Sequence, residues 1–416
     1  METTRNLPDD ILEEEILVRL PVKCLLRWKC VCKHWYALFG DYAFALKHYR
    51  FQYALHIAHH ATLPLFLDKP TDYPPYPGPE QEQTEFFVLS KHGADDVVLN
   101  VTPDFHRDIP PPFANEYQLK LASRCMGIVN GVIGLQWGNT CLALWNPATR
   151  EFKDVPRWPV MPDNKVAEEF CGRILGLGFD LQSLDFKILR VIDFDGAGIE
   201  PNVYEYHLYS LKANSWKKVK EAPRSHLNVS LSLTDGYFNN GVYYWLANDT
   251  ANNYSLVILA FDFSKELFTQ SELPDGSDCR NIEHMGSKNG RVWSGCMGSG
   301  TLGKYKETLA VVITDTTDNS DCHGELWIVT KFREDDHVVL SWQLVVRVSS
   351  IPSFNDLSSI CRFRECGDLL LSIQHGNSLE EEEGYLYDPA TCTLKDLGIR
   401  FCHNFSYVQS LFSLAR

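Results

Sequence analysis

Residues 142–156, LALWNPATREFKDVP, contain an alternating apolar strand, a polar turn and a second strand that ends at a proline. The same plan recurs in YHLYSLKANSWKKVKEAP (206–223), VILAFDFSKELFTQSELP (257–274), LWIVTKF with SWQLVVRV (326–348) and GYLYDPATCTLKDLGI (384–399). The apolar residue that leads each second strand recurs at steps of 64, 52, 74 and 52 residues, at Phe152, Trp216, Phe268, Trp342 and Leu394. A period of about 50 residues with two insertions predicts stacked four-stranded blades.

A Gly-flanked strand precedes most repeats and supplies the inner part of each blade. These strands are GIVNGVIGL (127–135), GYFNNGVYYWLA (236–247), NGRVWSG (289–295) and CGDLLLSI (366–373). Three further strands have no partner within the five blades so defined: FQYALHIAHH (51–60), FFVLS (86–90) and NFSYVQSLFSL (404–414). Pairing the two chain ends would remove exposed sheet edges. We therefore predict a mainly β fold, a small N-terminal α-helical segment followed by a six-bladed β-propeller closed between its termini.

The helical segment covers residues 7–50. Two apolar stripes with helical spacing lie on either side of Pro21, which ends the first helix. Their members are Leu12, Ile16 and Leu20, then Leu25, Trp28, Cys32 and Trp35. A third short helix is expected over residues 42–49. Because a unit of this size buries too small a fraction of its apolar surface, either the β part or another protein must cover the rest.

The charge balance restricts the classes of partner. The 416 residues carry a net charge of −15, with a pI near 5.4. Residues 51–416 contain 31 Lys and Arg against 47 Asp and Glu, whereas residues 1–50 are balanced at 8 against 7. Nucleic acids and anionic membranes require a concentrated basic footprint, so neither is expected as a partner. The natural partners of the large acidic part are neutral or basic.

Cysteine usage and the N-terminus indicate the compartment. The 13 cysteines are scattered and form no CxxC pair, which is typical of free thiols in a reducing environment. The first residues, METTRNLPDD, contain no signal-peptide pattern, and no run approaches eighteen apolar residues. We expect an intracellular protein of the cytoplasm, with the nucleus as a second compartment.

One segment resembles a phosphate-binding loop. GSGTLGKYK (298–306) satisfies G-x-G-x-x-G, but Tyr305 follows Lys304 where a hydroxyl for Mg²⁺ is required. The next segment is strand-like, whereas a phosphate site needs a helix N-terminus. We interpret residues 298–306 as a long turn between blade strands.

Other clusters of polar residues are also weak candidates for a site. On a strand, His56 and His60 share a face while His59 points away, and a fourth ligand is not evident, which favours a structural role. The acidic run Glu380 to Glu383 is typical of a solvated loop tip, and on a propeller rim it could steer a cationic partner. We expect no metal, no cofactor and no catalytic residues.

The N-terminal segment resembles an F-box, as found in plant F-box proteins. The resemblance rests on Leu7-Pro8, on RLPVK (19–23), on LLRWKCVCK (25–33) and on Trp35. In that family the unit binds the Skp adaptor of a cullin-RING (SCF) ubiquitin ligase. The resemblance implies these adaptor-binding residues: Leu7, Pro8, Ile11, Ile16, Leu17, Leu20, Pro21, Leu25, Leu26, Val31, Cys32, Trp35 and Leu38. One residue more than usual separates Leu7-Pro8 from Leu20-Pro21, which leaves the register of the first helix open, and Cys24 stands where Ser is commoner.

The remaining chain resembles the F-box-associated, kelch-like domain of the same plant proteins. Its recurring marks are NPATR (146–150), GLGFDLQSLDFKILRV (176–191), NSWK (214–217) and YVQSL (407–411). Within that family the chain is most similar to the S-locus F-box group of pollen self-incompatibility, whose members are thought to bind basic ribonucleases of the style. The resemblance implies an F-box over residues 1–50 and a propeller over 51–416, with a Pro-rich loop at 68–85.

These observations lead to two functional hypotheses. The first is a non-catalytic substrate receptor of an SCF ubiquitin ligase, which binds the Skp adaptor and, through it, the cullin and RING subunits. It would recruit a target protein for ubiquitination and proteasomal degradation, with a basic style ribonuclease as a candidate target. The alternative is a β-propeller enzyme or lectin whose N-terminal helices form only a cap.

Overall fold

The computed structural model describes most of the chain and divides it into two compact units. One unit comprises Met1–Leu67, Glu85–Arg157 and Phe405–Arg416, and the other comprises Asp68–Thr84 and Trp158–Asn404. The described residues are 11–60, 65–69, 85–92, 95–109, 123–137, 141–158, 171–193, 204–223, 227–229, 236–249, 255–273, 299–305, 308–315, 322–331, 341–351, 357–363, 368–374, 382–388, 390–399 and 403–415.

Helices dominate the start of the chain. A π-helical turn, Leu12–Ile16, passes into a 3₁₀ turn, Leu17–Arg19, and the following helices are α1 (Val22–Trp28), α2 (Lys33–Leu38), α3 (Tyr42–His60) and α4 (Thr102–Asp108). The Leu17 N–H donates to the Leu12 carbonyl, five residues earlier. A π-turn holds one residue more than an α-turn. It therefore accommodates the extra residue that left the register of the first helix open.

Five blades consist of strands that are consecutive in sequence and antiparallel. The first blade is β4 (Ser123–Val129), β5 (Val132–Trp137), β6 (Cys141–Asn146) and β7 (Glu151–Val155). The second is β8 (Cys171–Asp180), β9 (Asp185–Asp193), β10 (Tyr204–Ser210) and β11 (Ser215–Lys218). The third is β12 (Leu227–Val229), β13 (Tyr237–Asn239), β14 (Val242–Asp249), β15 (Ser255–Asp262) and β16 (Leu267–Glu272). The fourth is β17 (Ser299–Tyr305), β18 (Thr308–Asp315), β19 (Cys322–Lys331) and β20 (Ser341–Ile351), and the fifth is β21 (Leu357–Phe363), β22 (Leu369–Gln374), β23 (Glu382–Asp388) and β24 (Thr393–Asp396).

A further sheet combines the two ends of the chain. Its strand order is β25 (His403–Ser406), β1 (Leu65–Lys69), β2 (Glu85–His92) and β3 (Asp95–Asn100). The predicted class, a mainly β propeller with a short helical N-terminus, is confirmed. The two chain ends pair as predicted, but through β25 and β1 and not through residues 51–60, and only residues 404–406 of the strand predicted at 404–414 lie in β25. The predicted count of six blades needs qualification, because five blades are formed by consecutive strands and the remaining sheet is a composite.

The repeat register follows from a recurring turn before the last strand of the blades. In four blades the residue two positions before the aligned apolar residue has a positive φ: 61° at Arg150, 48° at Asn214, 58° at Glu266 and 53° at Cys392. A left-handed residue closes such a turn into the next strand. The aligned residues then lie opposite equivalent positions, in the pairs Trp145–Phe152, Tyr209–Trp216, Phe261–Phe268, Val329–Trp342 and Tyr387–Leu394.

Close packing within the second unit explains the glycines of the GLGFD segment. A Cβ on Gly178 would lie 2.0 Å from the ring of Phe263, and one on Gly176 would lie 2.3 Å from the ring of Tyr243. These distances are far below van der Waals contact, so only glycine lets β8 approach the third blade this closely. Phe263 and Tyr243 belong to a buried cluster of apolar residues from the second and third blades.

Two predictions about local structure are wrong. Residues 51–60 continue α3 instead of forming a strand, so the predicted domain boundary at residue 50 lies inside a helix. The side chain of Gln52 donates to the Val18 carbonyl at 3.1 Å, a contact that suits a helix packed on the preceding turn. Residues 299–305 form strand β17 instead of a long turn, because they pair with β18 along their whole length. Of the Pro-rich loop predicted at 68–85, residues 68–69 belong to β1 and residue 85 to β2, while 70–84 lie outside the described residues, as does the strand predicted at 289–295.

Candidate functional site

Exposed apolar side chains are concentrated in the N-terminal helices. Seven large apolar side chains are exposed in the described part of the chain, and five of these lie within residues 11–36. They are Ile11, Ile16, Trp28, Val31 (61% exposed) and Tyr36 (67% exposed). Single exposed apolar residues are ordinary, whereas a concentration of them in one short segment makes that segment a candidate interaction surface. We call these five residues the N-terminal apolar surface.

Two stacked indoles join α1 to α2 at this surface. The rings of Trp28 and Trp35 are 5.4 Å apart between centroids with an interplanar angle of 21°. Trp35 also contacts Phe39, at 6.0 Å between centroids, and Phe39 is fully buried. The thiol of Cys32 accepts a hydrogen bond from the Trp35 N–H and caps α2. The exposed indole of Trp28 is thus held in place by a chain of contacts that leads into the core.

The opposite side of these helices is buried against α3. Leu17 and Leu25 have no exposed surface, and the buried His48 of α3 donates from Nε2 to the Leu20 carbonyl at 2.8 Å. Burial lowers the pKa of His48 from its ordinary value of 6.5, although the bond to Leu20 opposes the shift. A neutral imidazole therefore anchors the turn at Leu20-Pro21.

Three consecutive glutamates are held by ion pairs within the helical segment. Glu13 accepts from His34 at 2.7 Å, which ties the π-turn to α2. Glu14 pairs with Lys47 of α3 at 2.8 Å, and Glu15 pairs with Arg19 at 3.0 Å. All of these pairs are largely exposed, so each contributes little to stability. Glu14 and Glu15 are thus each paired with a cation of the same segment.

The C-terminal segment fixes the helices to the first blade within the same compact unit. The Tyr42 hydroxyl of α3 donates to the Ser413 carbonyl, and the Tyr42 ring meets Phe412 edge-on at 5.0 Å between centroids. The buried Asn146 amide at the end of β6 donates to the Phe412 carbonyl at 2.8 Å. This segment has no regular secondary structure, yet Tyr407, Val408, Leu411, Phe412 and Leu414 are all buried. It therefore connects the helices to the β part, and we call residues 407–415 the C-terminal strap.

The structure separates the predicted adaptor-binding residues into three groups, apart from Leu7 and Pro8, which lie outside the described residues. Exposed are Ile11, Ile16, Pro21, Val31 and Cys32, and partly buried are Leu20, Leu26, Trp35 and Leu38. Leu17 and Leu25 offer no surface to a partner in this structure, so we assign them to the protein's own core. Trp28 and Tyr36 are exposed as well but are not among the predicted residues: Trp28 belongs to the second apolar stripe, whereas Tyr36 lies off both stripes.

Metal-binding clusters and membrane-spanning helices have no candidates among the described residues. No group of three or more His, Cys, Asp or Glu side chains in the described ranges could hold a metal ion. None of the described helices is long and apolar enough to span a membrane. His59 and His60 lie in α3, where their side chains are outside the described set.

Comparisons with known proteins agree with this architecture. A family model described as an F-box associated beta propeller domain matches residues 109–413. An F-box/kelch-repeat protein of Arabidopsis thaliana is 26% identical over 361 residues, which cover 85% of this chain and 84% of that protein. An F-box protein of the same plant is 34% identical over 122 residues, 28% of this chain and 29% of that protein.

Solved structures resemble the chain only distantly. The match to an oligogalacturonate lyase in complex with manganese covers 76% of this chain and 70% of the lyase chain, at 8% sequence identity. The TM-score of 0.37 is too low to support any argument about fold or function. The family match, in contrast, spans most of the chain. The chain therefore belongs to the plant F-box proteins that carry an F-box associated β-propeller domain.

Proposed function

We propose that this chain is the substrate receptor of an SCF-type ubiquitin ligase. In this proposal the N-terminal apolar surface binds a Skp-type adaptor, which connects the chain to the cullin and RING subunits. The β-propeller binds the target protein. The chain performs no chemistry, because holding a target near a ubiquitin-loaded partner raises its effective concentration.

The observation that carries the proposal is the exposure of Trp28, Val31 and Tyr36 beside a buried core. Leu17, Leu25 and Phe39 give the helices a hydrophobic core within the chain, and Val31 and Tyr36 lie outside that core. Aromatic side chains dominate the energetics of protein interfaces when a partner buries them. A stable interface of about 1,600 Å² would cover the whole surface.

The charge of the propeller suggests the class of target. Residues 51–416 contain 31 Lys and Arg against 47 Asp and Glu, and this acidity favours a basic partner. A basic style ribonuclease is the target that the resemblance to the S-locus group suggests. Binding of such a ribonuclease to the isolated full-length chain, and its loss at high salt, would support this assignment. Equal binding of an acidic control protein would argue against it.

The competing hypothesis is a propeller enzyme or lectin with a helical cap. A cap that served only its own domain would hide its large apolar side chains against that domain. Five of the seven exposed large apolar side chains of the described ranges lie in this segment instead. The exposure favours the receptor over the cap.

An adaptor pull-down with two matched variants tests the proposal. Val31→Asp places a charge on the N-terminal apolar surface, and Leu99→Asp makes the same change at an exposed residue of β3 (53% exposed). We expect Val31→Asp to abolish capture by a Skp-type adaptor and Leu99→Asp to retain it. Both variants should keep the far-ultraviolet circular dichroism of the parent. Undiminished capture of Val31→Asp would contradict the proposal.

A further inference from the structure

Positive charge is concentrated at the N-terminal apolar surface. Residues 16–40 contain Arg19, Lys23, Arg27, Lys29 and Lys33 and no Asp or Glu, in a chain whose net charge is −15. The sign of the charge in this stretch is thus opposite to that of the whole protein. A local reversal of this kind marks a surface selected by the charge of its partner.

Most of these cations have no counter-charge among the residues that the structure describes. Arg19 pairs with Glu15, while Glu13 and Glu14 are held by His34 and Lys47. In the described ranges no carboxylate lies within 4.0 Å of the side-chain nitrogens of the other four cations. These four are Lys23, Arg27, Lys29 and Lys33, of which only Lys29 is partly buried. We call them the basic set.

The basic set and the apolar surface occupy the same short stretch of chain. Lys23 and Arg27 are four residues apart on α1, so they lie on one side of that helix. Arg27 and Lys29 flank the exposed Trp28, and Lys29 and Lys33 lie on either side of Val31 in sequence. A partner that covers Trp28 and Val31 with an interface of about 1,600 Å² would extend beyond these two side chains to the cations beside them.

We propose that this surface binds an acidic face of its partner, with apolar contacts from Trp28 and Val31 and carboxylates opposite the basic set. The inference rests on the proposed function and names the chemistry of the adaptor's docking surface. Complementary charges accelerate association and select partners more than they add to affinity. Polyanions such as nucleic acid and anionic membranes are disfavoured, because residues 51–416 carry an excess of 16 negative charges and would repel them.

Association kinetics with purified Skp-type adaptor test the inference. The charge-reversal variant is Lys23→Glu with Arg27→Glu, and the matched control is Lys220→Glu with Lys265→Glu, which makes the same change of charge at exposed sites of the second compact unit. At about 50 mM salt we expect the charge-reversal variant to associate roughly tenfold more slowly than the parent, and the control within about twofold. The difference should shrink several-fold at about 500 mM salt, because screening shortens the range of the field.

The outcomes separate the inference from the proposed function. Adaptor binding with equal rates for both variants at low salt would overturn the acidic partner face while leaving the receptor function intact. No adaptor binding by the parent at either salt concentration would overturn both. Binding of the parent to phosphatidylserine vesicles, lost in the charge-reversal variant, would replace the protein partner with an anionic membrane and so contradict the inference.

Discussion

Trp28 of α1 stacks on Trp35 of α2, with the two indole centroids 5.4 Å apart and the rings inclined by 21°. The stack is the direct ring contact between these two short helices. Trp28 is exposed, whereas Trp35 continues inward to the buried Phe39. The pair therefore joins α1 to α2 and leaves the Trp28 indole exposed.

A double-mutant cycle measures this coupling. Aromatic pairs contribute about 0.5–1.5 kcal/mol beyond their buried area. We expect the free energies of unfolding of Trp28→Ala, Trp35→Ala and the double variant to give a coupling in that range, measured by urea denaturation. Additive effects of the two substitutions would show that the stack contributes nothing. For adaptor binding, Trp28→Ala should lower affinity by at least about tenfold, as expected for an aromatic anchor.

Acid should weaken the N-terminal helices through His48. The lowered pKa means that the unfolded chain binds a proton near pH 6.5 while the folded chain does not. Stability is then constant above that pH and falls as the pH drops below it. Protonation would also place a proton on Nδ1, which is buried without a hydrogen-bond partner among the described residues.

The variant His48→Phe isolates this effect. It should reduce stability at pH 8 by about 1–3 kcal/mol, because the partly buried Leu20 carbonyl loses its donor. The loss of stability between pH 7 and pH 5 should be smaller in the variant than in the parent. Burial also lowers the pKa of His207, but His207 is present in both the parent and the variant. The difference between their pH profiles therefore reports on His48. Identical pH profiles would contradict the role of His48.

Removing the Asn146 amide should release the C-terminal strap. The amide donates to the carbonyls of Phe412 and Ser410, at 2.8 and 3.3 Å. In Asn146→Ala these buried acceptors lose their partner, at a cost of about 1–3 kcal/mol each at most. We expect faster limited proteolysis at the end of the chain, followed by mass spectrometry. Cleavage at the parental rate would show that the strap does not depend on Asn146.

Lys187 of β9 joins the end of β8 to the turn before β16 through ion pairs. Asp180 lies 2.9 Å from the Nζ of Lys187, both nearly inaccessible, and Lys187 also contacts Glu266 at 3.0 Å. Burial opposes the charged form of Asp180, but hydrogen bonds from Ser183, Ser264 and Lys187 prevail and lower its pKa. The ionised Asp180 carboxylate therefore stabilises the fold at neutral pH. This stabilisation is lost as the pH falls below the ordinary pKa of the carboxyl group.

The substitution Asp180→Asn should be strongly destabilising. It leaves a buried cation with less compensation, which typically costs about 3–5 kcal/mol. The measurement is the midpoint of urea unfolding at pH 7. The exposed control Lys265→Gln should stay within about 0.5 kcal/mol of the parent. A change of less than about 1 kcal/mol in Asp180→Asn would show that the turns are held by other contacts.

Most of the fold could be predicted from the sequence repeats, because the turns within the blades have a strong local sequence signal. Positive φ values two residues before Phe152 and Leu394 confirm the alignment that the sequence pattern predicts. The helix over 51–60 was missed because FQYALHIAHH alternates like a strand, while the bonds from His48 and Gln52 that stabilise α3 are tertiary. Strand β17 was not predicted because its sequence contains glycines, which are typical of turns.

The candidate site was only partly predictable, for a different reason. Helical periodicity identifies which residues are apolar on one side, but it does not say whether the chain or a partner covers them. Leu17 and Leu25 are therefore indistinguishable by pattern from Ile16 and Val31, although the structure buries the first pair and exposes the second. Tyr36 could not be found, since its position next to Trp35 lies off the stripe.

Amide hydrogen exchange of the full-length chain, with and without a Skp-type adaptor, tests most directly whether a separate subunit covers the N-terminal apolar surface. We predict slower exchange on adaptor addition in residues 22–38, with the five blades unchanged. Unchanged exchange in residues 22–38, or protection confined to the blades, would contradict the assignment of these helices as the docking element.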